Sequence, residues 1–139
     1  MTSRFICGRF GLAAALLLFS ATGVAAGAEP EAAQAMAAFE QARSLCEADG
    51  GRAWAVSLCG PVLIADPATR QVIANMDGVD APLERDGVVF RGQLPDAVPI
   101  ANTAVPWNGR VWTMLVAPVP ADEPGRSILL MYEAWHRIQ

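Results

Sequence analysis

The spacing of apolar residues changes character several times along the chain. Between Glu31 and Ala48 alanine dominates, and Met36, Phe39, Ala42 and Cys46 recur on one helical face. Glu29 and Glu31 stand at the positive end of the helix this predicts, and Gly50-Gly51 stops it. The period then shortens. Ala53 to Cys59 alternates Trp, Val and Leu with small residues and reads as strand-like, until Gly60-Pro61 breaks it. Val62–Ala65 and Gln71–Ala74 flank Asp66-Pro67-Ala68-Thr69-Arg70, an Asp-Pro-led turn, so the two arms form a hairpin. Asp77-Gly78 and the stretch from Asp80 to Asp86 read as loop, Val88–Arg91 as a short strand, and Leu94–Pro99 as irregular.

Asn108-Gly109 is the strongest local signal. It lies between Thr103–Trp107 and Arg110–Ala117 and predicts a two-residue hairpin turn. The second arm is apolar on both faces, with Val111, Leu115 and Ala117 on one and Trp112, Met114 and Val116 on the other. Such a strand is central or covered by a helix. Pro106 places the first arm toward an edge. After Pro118, Pro120 and Pro124 a final helix starts near Asp122–Pro124 and runs to Gln139. The helical pattern continues to Gln139 with no glycine, cap or following loop. That reads as a fragment or early-terminated version of something longer, with a frayed terminal helix as the alternative. The fold class is therefore α+β: an N-terminal helix, an antiparallel, hairpin-rich sheet of four to six strands, and a C-terminal helix packed on it.

The first residues change the picture of where the chain works. Arg4 and Arg9, the apolar run Leu12–Phe19 and the small-x-small triplet Ala26-Gly27-Ala28 have the pattern of a secretory signal cleaved after Ala28. The alternative is an uncleaved anchor, since Phe10–Ala28 carries no charge and is nearly long enough to span a bilayer. The Ala, Gly, Ser and Thr of its second half favour processing. The organisation is then residues 1–28 as signal peptide and residues 29–139 as a single domain, exported to the periplasm or medium, with no stable membrane insertion after cleavage.

Cleavage removes two arginines and no acid. The charge moves from −4 to −6, with eight arginines left against fourteen acids. Lysine is absent and no basic run occurs, which excludes a nucleic-acid partner. At 53% hydrophobic and 17% charged residues the chain is not a disordered one. Once Cys7 is removed, Cys46 and Cys59 remain. In an oxidising compartment they are a candidate disulfide, worth about 3 kcal/mol by loop closure. Two buried thiols are the alternative.

Candidate chemistry is sparse. There is no Gly-x-Ser-x-Gly, no phosphate loop and no Gly-x-Gly-x-x-Gly. Ser44, Ser57 and Ser127 have no base beyond the one histidine, His136. Asn75, Asp77, Asp80, Glu84 and Asp86 supply carboxylates but not the spacing of a calcium loop, and read as a solvated loop. The terminal helix carries Tyr132-Glu133-Ala134-Trp135-His136. Positions 132 and 136 share a face, and Glu133 and His136 are neighbours one turn apart. Zinc peptidases use this spacing as His-Glu-x-x-His, two imidazoles binding zinc and the glutamate activating water. The bland reading is a helix-surface ion pair between Glu133 and Arg137.

The stretch from Ala101-Asn102-Thr103-Ala104-Val105 through Trp107, Gly109, Arg110, Trp112-Thr113-Met114 and Leu129-Leu130 to Glu133 and His136-Arg137-Ile138-Gln139 resembles a family of exported bacterial zincin-like proteins. In that family the strand-rich segment leads into a helix reading Leu-Leu-x-His-Glu-x-x-His-Arg-Ile-Gln. The resemblance extends back through Gly60-Pro61 and Asp66–Arg70 and covers most of the mature chain. It implies a zinc metallopeptidase ancestry, with residues 29–139 as the N-terminal part of a longer domain. Glu133 matches the general base and His136 one zinc ligand. Tyr132 stands where the family has its first histidine, and a phenol, with a reference pKa of about 10, is a poor zinc ligand. The resemblance thus implies zinc for a complete relative, and no cofactor and no peptidase activity for this chain. The competing expectation is a small exported binding module with no enzymatic ancestry, contacting a protein or peptide through its sheet and Trp54, Trp107 and Trp112. A third is an active peptidase completed by a second chain.

Overall fold

The computed structural model describes residues 32–139. Residues 1–28, expected as a signal peptide, and Glu29 and Glu31 lie outside the described residues. Helix α1 (Ala32–Asp49) is followed by β1 (Val62–Ala65), β2 (Gln71–Ala74), β3 (Glu84–Asp86), β4 (Val89–Gln93), β5 (Thr103–Trp107), β6 (Arg110–Val116) and α2 (Gly125–His136). The six strands form one sheet in the order β3-β4-β2-β1-β6-β5. The α+β architecture expected from the residue pattern is the one observed.

Local turn chemistry builds the antiparallel pairs. In the turn joining β1 to β2, the Asp66 carboxylate accepts hydrogen bonds from the Ala68 and Thr69 amides at 2.7 and 3.4 Å. Asn108 and Gly109 take positive φ, 49° and 72°, as the two-residue turn between β5 and β6 requires. Pro106 does lie on an edge strand, where its missing N–H costs the ladder nothing.

Three expectations need correction. First, the sheet is mixed: β1 and β6 run parallel, Ile64 opposite Leu115. Every sequential connection is a hairpin or a loop, so the parallel pair arises between strands far apart in sequence. Second, Ala53–Cys59 is not a strand. It has no partner, Ala55 takes φ 59°, Trp54 and Val56 are exposed, and only Leu58 points inward. Third, the acidic loop contains β3, paired antiparallel with β4 through Asp86 and Val89. Two half-buried side chains of this stretch bond nearby backbone. Asn75 bonds the Val62 amide and the Gly60 carbonyl, and Asp77 accepts from the Gly78 and Leu83 amides.

Both faces of the sheet are covered, which explains why β1 is buried at every position. On one face α1 and α2 bring Ala35, Ala38, Phe39 and Leu130 against Val62, Ile64, Ile73, Val89 and Leu115. On the other face Leu63, Val72, Leu94, Val105, Trp112 and Met114 form a second core. Partly buried side chains from the connecting loops, among them Met76, Leu83, Val98 and Ile100, close over it. Trp112 belongs to that core and Trp107 packs partly buried against it, ring centroids 6.0 Å apart, so Trp112 offers no contact surface on the sheet. Gln41 of α1 bonds Glu123 and Ser127 at the start of α2 and accepts from Arg126, tying the helices together.

Candidate functional site

Helix α2 presents different chemistry on each side because its residues fall about 100° apart. Leu130 and Ala134 are buried toward α1 and the sheet, whereas Ile128 and Tyr132 are exposed. Glu133 falls on the buried side, only 4% exposed, and its Oε2 has no hydrogen-bond partner. Burial pushes the Glu133 carboxyl above the ordinary carboxylate range, with nearby His136 pulling weakly the other way. A buried, unpartnered carboxylate is uncommon and marks a position where a polar group is held at some cost to stability.

Tyr132 and His136 meet as their four-residue spacing predicts, but ring to ring. Their centroids are 4.7 Å apart in an edge-to-face contact at 85°. Trp135 lies beside both, 5.9 Å from Tyr132 and 5.1 Å from His136, and Trp54 joins from the loop after α1 at 6.5 Å from Trp135. The four rings form one half-exposed cluster. Glu133, one residue on from Tyr132, points away from it into the protein.

The ion pair expected between Glu133 and Arg137 does not form among the described residues. Arg137 instead donates to the carbonyls of Leu58 and Cys59, at 3.0 and 3.1 Å. Burial lowers its proton affinity and leaves Nε without a partner. Gly60 makes that position possible, since a Cβ there would lie 2.5 Å from the Arg137 guanidinium carbon. Gly60 reads in the sequence as a strand breaker, and its packing role depends on a residue 77 positions away. Thr113 also escapes sequence reasoning. It alternates with Leu115 on β6 and so faces the helix layer, 1% exposed, with no partner for its hydroxyl.

Cys46 and Cys59 are joined, their Cα atoms 5.1 Å apart. The disulfide anchors the end of α1 to the segment leading into β1. No group of three or more His, Cys, Asp or Glu side chains placed to hold a metal occurs among the described residues. No described helix is long and apolar enough to cross a membrane. Comparison with protein-family models, with curated proteins and with solved structures finds no match for the chain.

Proposed function

We propose that this protein, matured after Ala28 and exported, is a non-catalytic relative of zincin-like peptidases. Its C-terminal helix keeps the glutamate and one histidine of the peptidase motif and holds no zinc. One observation carries the reading: Tyr132 rests edge-on against His136 where two imidazoles would converge on an ion. A phenol in ring contact supplies no metal ligand there. Glu133 is buried in the protein, 4% exposed, rather than open to solvent beside His136.

Calorimetric titration of zinc into the mature protein tests this, with casein digestion run in parallel. The native chain is expected to bind zinc no more tightly than a lone surface histidine and to leave casein intact. Tyr132→His should bind measurably tighter, because it restores two imidazoles at i and i+4. Tight stoichiometric zinc binding, or casein cleavage abolished by chelator, in the native chain overturns the proposal. Export is tested separately: terminal sequencing of periplasmic or secreted material should read Glu29 first.

The exposed part of the ring cluster favours a second reading, an exported binding module with no peptidase ancestry. Trp54 is 43% and Tyr132 54% exposed, and exposed aromatic rings are common anchors for partners.

A further inference from the structure

On the opposite side of α2 from the ring cluster lies a cavity of about 520 Å³, between the two helices and the β1, β2 and β4 side of the sheet. Its volume falls in the usual range for small-molecule sites, about 300–1,000 Å³. Its walls are overwhelmingly apolar, and three of them are methionines: Met36 from α1, Met76 after β2, and Met131 from α2. Unbranched thioether chains adapt to irregular aliphatic shapes and recur where a surface accepts flexible apolar ligands. At the mouth Met36 is 45% and Val88 66% exposed, so an apolar path leads from solvent inward. The Cys46–Cys59 disulfide forms part of the wall and fixes α1 against the segment before β1. A wall fixed in this way needs less ordering when a ligand arrives.

The polar groups at the cavity define the head that such a ligand would carry. Arg43 is the cation there, and Glu40 and Glu47 surround its guanidinium, with hydrogen bonds to both carboxylates of which two to Glu47 measure 2.9 Å. Both carboxylates hold its proton more firmly than usual. Asn75 is spent on the Val62 amide and the Gly60 carbonyl. Glu40 and Arg43 are paired in the lining, and with Glu47 beside them the local charge of one arginine and two glutamates is negative. We propose that this cavity binds the aliphatic tail of a single-chain amphiphile whose head is cationic, with the head at the Glu40 rim. The site is separate from the Tyr132–His136 rings and does not rest on a peptidase ancestry.

Calorimetric titration of the mature protein with decyltrimethylammonium, decanol and decanoate, each below its micelle concentration, tests the proposal. Saturable one-to-one binding is expected for the cation, about tenfold tighter than for decanoate, as two opposed surface-charge contributions of ordinary size imply. Tetramethylammonium should not compete, which excludes head-only capture by the exposed rings. Glu40→Gln should narrow the cation-over-anion preference and leave decanol unchanged. Ala134→Phe, which fills the cavity from α2, should abolish binding of all three. Met36→Trp closes the mouth from a half-exposed helix position and should do the same in a chain whose circular dichroism is native. Absence of saturable binding by any of the three probes overturns the proposal. So does decanoate binding as tightly as the cation, or tail binding that survives in a folded Met36→Trp variant.

Discussion

The two faces of the sheet are built to different standards. On the loop-covered face polar groups are put to structural use. Arg70 reaches the carbonyls of Leu94, Pro95 and Val98 and clamps the loop after β4. Asn108 exchanges two hydrogen bonds with the backbone of Ala81, and the Trp112 indole donates to the Trp107 carbonyl at 2.8 Å. On the helix-covered face the Thr113 hydroxyl and a Glu133 carboxylate oxygen are buried with nothing to bond, and the two helices leave a cavity. Close packing with satisfied polar groups maximises stability, whereas unpaired groups and unfilled space reduce it. Both faces bury an apolar core, and the unpaired groups and the cavity mean that the helix-covered face gives up more stability than the loop-covered one.

The contrast can be broken most directly at Trp112, which is wholly inaccessible on the loop-covered side. Trp112→Ala should lose about 3–5 kcal/mol in a urea denaturation, a large share of what a domain of this size possesses. A cost no greater than that of a surface substitution would mean that this face is not the stable one. Next in size is the disulfide. Cys46→Ser with Cys59→Ser should lose about 3 kcal/mol, since the bond closes a short loop in the unfolded chain. Hydrogen exchange should quicken first at the end of α1 and leave β5 and β6 protected. Uniform acceleration over both faces would contradict the division.

The smallest effect has the opposite sign. The folded chain holds the Glu133 proton more tightly than the unfolded one, because burial raises its pKa. The contribution of this group is therefore most favourable at and below the ordinary carboxylate range. It weakens as pH rises through the elevated value. Glu133→Gln should remove that dependence and gain about 1 kcal/mol at neutral pH, with little change in acid. Melting temperatures of both chains across the acid-to-neutral range give the comparison. A native chain in which this difference grows toward acid would show that the carboxylate is stabilising after all.

Elements whose cause is local could be read from the residues. The Asp66–Arg70 turn fixes β1 and β2 within a few positions, and Asn108-Gly109 does the same for β5 and β6. The parallel seam between β1 and β6 could not, because it joins residues about fifty positions apart and neither strand carries a mark of its partner's direction. The residues Glu84, Arg85 and Asp86 hide β3 because all three are exposed and charged, which leaves no apolar period to detect. The missed signal was Gly87, which stands at φ 62° in the two-residue turn Gly87-Val88 between the paired Asp86 and Val89. In Ala53–Cys59 the alternation was present without a neighbouring strand to use it. At the candidate site, four-residue spacing correctly brought Tyr132 to His136. The direction of Glu133 depends on how α2 rolls against the sheet, and the fate of Arg137 depends on the space left by Gly60, which no local pattern records.

An open sheet has two edges, and here neither can readily accept another strand. One edge is β3, only three residues long and charged at every position, and the other is β5, whose Pro106 lacks a backbone donor. Charge, short length and proline are the features that discourage growth of a sheet from one molecule into the next. Such edges oppose polymerisation of copies of the chain by strand addition. Their blunt chemistry thus protects the molecule against its own kind.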